Sequence, residues 1–172
     1  MRRLLASRLL LVGAALALSG ALAGCGLRPV YAGGAGGATA QAFAAIQVPA
    51  IEGGEGWLVR NALLDRLGQS GTSATPQYRL DVVLDDQLEG LGLLTDDTIG
   101  RERRTLRARY QLVDLASNEV LLDATAGSDA GIDVVGSEYA TISAEQRALE
   151  NLVDDVADRI VRRLALTFSE NR

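Results

Sequence analysis

Thr98–Val113 reads Thr-Ile-Gly-Arg-Glu-Arg-Arg-Thr-Leu-Arg-Ala-Arg-Tyr-Gln-Leu-Val, and its parity decides the fold. Leu106, Ala108, Tyr110 and Leu112 hold even positions, whereas Arg101, Arg103, Arg107 and Arg109 hold odd ones. Successive side chains of a strand point to opposite faces, so this is a long strand with one greasy and one cationic side. Alternate guanidinium groups then stand about 6.6 Å apart along it. Upstream, Gln77–Leu88 alternates in the same way. Tyr78, Leu80, Val82 and Leu84 share one face, and Arg79, Asp81 and Asp85 the other. The glycine-bearing stretch Glu89–Asp97 reads as the connection between these two strands. Downstream, Asp114–Asn118 reads as a turn and Glu119–Ala126 as a third strand with Val120, Leu122, Ala124 and Ala126 in phase. Gly127–Gly136 reads as loop.

Helices flank this meander. Leu149, Leu152, Val153, Val156, Ile160, Leu164 and Phe168 recur at intervals of three and four, which predicts one amphipathic helix over 143–168. Ser143 and Gln146 are spaced as a capping box at its start. Its outer face carries Glu150, Asp154, Asp155 and Asp158 ahead of Arg159, Arg162 and Arg163, an order that complements the helix dipole. Nearer the amino terminus, Ala44–Val48 reads as a short strand ended by Pro49. Trp57–Leu67 reads as a helix with Val59, Leu63 and Leu67 in register, stopped by Gly68 and Gly71. Trp57, at the helix start after glycines, reads as core filler or a staple rather than a ligand-stacking side chain. Ser70–Pro76 is loop. The order β-α-β-β-β-α predicts an α+β two-layer sandwich: a small, mostly antiparallel sheet covered on one face by two helices, with its other face polar and open.

Composition narrows the chemistry. The chain has 172 residues, 17 basic residues (all arginine), 22 acids, no histidine and one cysteine. Without histidine, Ser-His-Asp and Cys-His apparatus is excluded, along with the commonest metal ligand. One cysteine excludes an internal disulfide and a Cys-rich zinc site. The doublets Asp85-Asp86, Asp96-Asp97 and Asp154-Asp155 fit no calcium-loop spacing and read as solvated surface. No catalytic residue, metal site or dissociable cofactor is expected.

The first 24 residues read as an address. Arg2, Arg3 and Arg8 precede Leu9–Ala23, which carries no charge. Such a stretch spans roughly 22 Å as a helix, short of the ~30 Å hydrocarbon core, so a signal peptide is the reading. Leu22-Ala23-Gly24-Cys25 resembles the lipobox of bacterial lipoproteins. The resemblance implies cleavage before Cys25, diacylglycerol on its thiol and a third acyl chain on its amine, with Gly26 pointing to the outer membrane. Residues 1–24 remove three arginines and no acid, so the net charge of −5 becomes −8. An acidic chain is a poor nucleic-acid partner. Residues 25–43, with Gly33, Gly34, Gly36 and Gly37, read as a flexible tether, 44–168 as one domain and 169–172 as a polar tail.

The arginine strand is the candidate site. Arg101, Arg103, Arg107 and Arg109 line the open sheet face, where guanidinium forks pair bidentately with phosphate or carboxylate. The competing arrangement is cross-strand pairing with Asp81, Asp85 and Asp123.

Cys25-Gly26-Leu27-Arg28-Pro29-Val30-Tyr31 resembles the C-G-F-R-P-L-Y start of the LptE family of lipopolysaccharide-assembly lipoproteins, in its alphaproteobacterial style, departing at Leu27 and Val30. The order of elements also resembles that family. The resemblance implies a non-enzymatic, lipid-anchored protein on the periplasmic side of the outer membrane. It implies a protein that plugs and helps fold the LptD-type β-barrel, and that binds lipopolysaccharide during delivery to the outer leaflet. Lipopolysaccharide binding through basic residues carries over to Arg101, Arg103, Arg107 and Arg109. Arg28, Pro29 and Tyr31, just behind Cys25, read by their position as a partner-docking group or a membrane-proximal spacer. The alternative is an auxiliary lipoprotein subunit of another envelope lipid or solute transport complex. A hydrolase working through carboxylates alone is the remaining class, and no acid pair is spaced for it.

Overall fold

The computed structural model describes residues 37–68, 75–93 and 99–170. The expected signal peptide, Cys25, Arg28, Pro29 and Tyr31, the stretch 69–74 read as loop, and residues 94–98 with the Asp96-Asp97 doublet and Thr98 lie outside the described residues. The elements are α1 (Ala38–Ala44), β1 (Ile46–Gln47), α2 (Gly54–Arg66), β2 (Tyr78–Leu93), β3 (Ile99–Asp114), β4 (Val120–Asp133) and α3 (Glu138–Glu170). The sheet order is β1-β2-β3-β4, with β1 parallel to β2 and the other pairs antiparallel. The α+β class and the parity of β3 stand as predicted. Leu106, Ala108, Tyr110 and Leu112 are buried under the helical layer, while Arg101, Arg103, Arg107 and Arg109 are exposed.

The helix α3 supplies most of the cover. Leu149, Leu152, Val153, Val156, Ile160 and Leu164 are all buried, and the helix packs on β4, β3 and α2. At roughly 1.5 Å per residue its 33 residues run about 50 Å. α2 packs against α3, with Val59 and Leu63 fully buried. Arg66 at its end bridges to Asp154 and Asp158 of α3. Gly56 sits so close to Ile51 that an added Cβ would lie 2.4 Å from the Ile51 carbonyl oxygen. Only glycine allows that approach.

Several boundaries differ from the sequence reading. Residues 38–43, read as the end of a tether, form α1. It is pinned by buried Phe43, whose ring lies edge-on to Phe168 at 6.2 Å, with Tyr78 on Phe168 at 5.1 Å. The stretch 89–93, read as connection, continues β2, and 127–133, read as loop, continues β4. In both cases pairing with β3 overrides the glycines. α3 starts five residues before Ser143, so there is no capping box there. Ser143 Oγ instead donates to the Tyr139 carbonyl at 2.8 Å, and Gln146 donates to Glu150. The helix also runs through Ser169 and Glu170, read as tail. Trp57 is 65% exposed and fills no core. A register shift at Leu112/Val113 sets Leu112 opposite Leu122 but Val113 opposite Val120. That bulge takes Val120 out of phase and leaves it half exposed.

Candidate functional site

The open face is a three-strand surface with the arginine row along its middle. β3 lies between β2 and β4, so each odd-numbered residue from Arg101 to Gln111 has a cross-strand neighbour on each side. Arg107 stands opposite Asp85 of β2 and Gly127 of β4, Arg103 opposite Glu89 and Gly131, and Arg109 opposite Val83 and Thr125. Arg101 stands opposite Leu91 and Asp133. The central position of β3 is what brings the four cations, spread over nine residues, into one line with acids on both flanks.

Both arrangements expected from the sequence occur, divided along the row. Arg109 pairs bidentately with Asp123, Nη2 to Oδ2 at 3.0 Å and Nε to Oδ1 at 3.3 Å. Gln111 donates to the same carboxylate at 2.8 Å. Arg101 lies 3.5 Å from Asp133, a partner hidden from the sequence because 127–136 read as loop. Asp81 is taken by Arg79 on its own strand, and Asp85 accepts from Gln87. Among the described residues, Arg103 and Arg107 make no ion pair and no hydrogen bond through their guanidinium groups. They are the two middle members of the row and are separated by about 13 Å of strand.

The surface beneath them is shaped. A concavity of about 320 Å³ is lined by Val83, Asp85, Arg107, Arg109, Thr125 and Gly127. A second, of about 310 Å³, continues it past Asp81 and Gln111. Gly127 explains part of the hollow. An added Cβ there would lie 3.3 Å from Arg107 Cγ and 3.5 Å from its Nη1, so the arginine lies across bare backbone. Val83, 71% exposed, forms an apolar floor beside it. Sequence reasoning missed Val83, Thr125 and Gly127. The signal was their parity, which matches the arginines once β4 is extended to Asp133. Arg104, the fifth arginine of the run, has even parity and lies on the helix-covered face. It pairs there with Asp86 and donates to the Glu145 carbonyl at 3.2 Å.

The hydrogen bond from Arg109, followed by that from Gln111, holds the Asp123 carboxyl below the usual carboxylate range. A depressed carboxyl adds stability that is complete above about pH 4 and is lost as pH falls through its folded value. Asp123→Asn is therefore expected to flatten the acid limb of stability. Urea midpoints between about pH 2.5 and 5 check this. An unchanged slope would show that the Arg109–Asp123 pair does not persist in solution. Asp114, held low by backbone N–H groups of Ser117 and Ala116 in the β3–β4 turn, is lost over the same acid range in both proteins.

Among the described residues, no group of three or more His, Cys, Asp or Glu is placed to hold a metal, and no helix is long and apolar enough to cross a membrane. The surface offers charge-assisted hydrogen bonding to an anion, with a small apolar floor.

Comparison with known proteins agrees with this architecture. No curated protein matches the chain. A Caulobacter crescentus CB15 lipoprotein structure superposes with a TM-score of 0.63 at 22% identity, covering 79% of this chain and 98% of that one. The rare lipoprotein B of Shewanella oneidensis gives a TM-score of 0.52 at 14% identity, covering 73% and 96%. Lipoprotein B of Nitrosomonas europaea gives 0.55 at 16%, covering 72% and 82%. At these identities the likeness is one of fold. The family model LptE, described as lipopolysaccharide-assembly, matches residues 43–164. That span is well over half of the chain and takes in everything from Phe43 on α1 to Leu164 on α3, so the chain belongs to the LptE lipopolysaccharide-assembly family.

Proposed function

We propose that this protein is a lipid-anchored assembly factor on the periplasmic side of the outer membrane. In this reading it plugs and helps fold an LptD-type β-barrel, and it binds lipopolysaccharide during delivery to the outer leaflet. Family membership supports the role in lipopolysaccharide assembly and a non-enzymatic reading. Cys25 carries the diacylglycerol and the further acyl chain, and no other cofactor takes part. Arg28, Pro29 and Tyr31, just behind the anchor, dock the partner.

The observation that carries lipid binding is the pair Arg103 and Arg107, exposed on the open face and unpaired among the described residues. The phosphates of a lipopolysaccharide meet them without first displacing an internal carboxylate, whereas Arg101 and Arg109 are already engaged. Asp85, Glu89 and Asp129 break the cationic row on either side. That interruption disfavours an extended polyanion such as nucleic acid, which needs a continuous basic track.

The test is lipopolysaccharide binding by the double variant Arg103→Gln with Arg107→Gln. Each lost charge-assisted contact is worth on the order of 1.5 kcal/mol, or about tenfold, so a fall of roughly 100-fold is expected. Arg101→Gln with Arg109→Gln is expected to lose less. Equal binding by the first variant and the native protein would remove the row from the site. Recovery of an inner-membrane transporter in place of a large outer-membrane barrel, after detergent extraction, would favour the auxiliary-subunit reading.

A further inference from the structure

The sheet has two edges, and they differ. β1 covers β2 only at Tyr78 and Arg79. Beyond Leu80, no described residue pairs with the outer side of β2, which runs on to Leu93. The direction of its backbone groups follows from two bonds. Tyr78 N–H donates toward β1, to Ala45, while the Gln77 carbonyl accepts from Leu115 on the β3 side. Backbone groups of a strand alternate sides. Val82, Leu84, Asp86, Leu88 and Gly90 therefore aim N–H and C=O outward.

The same strand is thinly covered by the helices. α3 packs on β3 and β4, and α2 packs on α3. Val82 and Leu84 remain half-buried and Leu88 is 47% exposed. On the open face, β2 presents Asp81, Asp85 and Glu89 at every fourth residue, with Val83 and Gln87 between them. The edge thus offers a bare ladder, an apolar row on one side of it and an acidic row on the other.

β4 is a poorer edge. Arg159 of α3 donates to the Gly127 carbonyl, which occupies one of its acceptors. Gly127 and Gly131 also give an incoming strand no side chain to pack against.

We propose that the β2 edge from Leu80 to Gly90 is a docking site for an extended segment of a partner protein. That segment adds a strand to the sheet and carries basic side chains at alternate positions with apolar ones between them. Charge selects this occupant. Basic side chains lie beside Asp85 and Glu89, and the apolar ones complete the cover over Val82, Leu84 and Leu88. A second copy pairing β2 with β2 sets acidic row against acidic row, which cross-strand contacts penalise. The proposal stands apart from the lipopolysaccharide reading and uses none of its arginines.

The probe is a capped ten-residue peptide alternating arginine and valine, added to the full chain, with amide exchange followed residue by residue. In the free protein the amides of Val82, Leu84, Asp86 and Leu88 are expected to exchange fast. With peptide, they are expected to slow at least tenfold. Leu88→Pro removes one outward donor at an edge position that tolerates proline, and is expected to weaken binding at least tenfold. Asp85→Asn with Glu89→Gln is expected to do the same. A glutamate–valine peptide is expected to bind at least tenfold more weakly than the arginine one.

Protection of these amides without peptide would overturn the proposal, because the edge would already be filled by this chain or a second copy; sedimentation distinguishes the two. Protection of Thr125 and Asp129 instead would move the site to β4 and overturn it equally. So would peptide affinity indifferent to Leu88→Pro.

Discussion

Asp86→Ala is expected to lower the unfolding free energy by about 3 kcal/mol, the usual cost of leaving a buried charge without its partner. Arg104 and Asp86 have side chains only 17% and 14% exposed, the most enclosed ion pair among the described residues. The guanidinium makes two contacts to the carboxylate and a third to the Glu145 carbonyl, so it ties β2, β3 and α3 together. The hydrogen bonds that Arg104 donates to Asp86 are the leading reason that the arginine's pKa rises. Without that partner the guanidinium still stays charged, because arginine is protonated throughout the working pH range. Replacing both residues, Asp86→Leu with Arg104→Met, is expected to cost within about 1 kcal/mol of nothing, since desolvation is then relieved together with the attraction. Urea denaturation of the three proteins measures the contrast. A single variant as stable as the double would show that water reaches the pair.

Leu106→Ala is expected to cost about 3 to 4 kcal/mol, through lost transfer energy and the cavity left behind. Leu106 is fully buried at the middle of the central strand, under α3 and beside the Arg104–Asp86 pair. For a domain of this size the melting temperature is expected to fall by roughly 10 °C. Val83→Ala, on the open face of the neighbouring strand, is expected to stay within about 0.5 kcal/mol of the native protein. A comparable loss at both positions would mean that the open face is covered in solution.

What was legible in the chain followed from parity and periodicity. The two faces of β3 and the buried stripe of α3 are direct consequences of periods near two and 3.6, and the structure keeps both. Elements held by tertiary contact rather than local preference escaped. α1 is Ala-Thr-Ala-Gln-Ala-Phe-Ala, with no amphipathic stripe, and it is seated by tertiary burial of Thr39 and of Phe43, whose ring meets Phe168. The far half of β4 contains Gly127, Ser128 and Gly131, a turn-like composition that lies straight because β3 offers it a ladder. The candidate row was visible as a row. Its division into engaged and unengaged members was not, because it depends on which acids the register sets opposite, and on Gln87 and Arg79 claiming Asp85 and Asp81 first.

The seat of Phe43 on Phe168 also has a mechanical side. A tug applied at Gly37 is expected to be felt first at α1, seven residues seated by buried Thr39 and Phe43 and followed by a two-residue strand. That joint is expected to peel before any load reaches the hairpins. The expected result is that α1 comes away while the arginine-bearing plate keeps its shape.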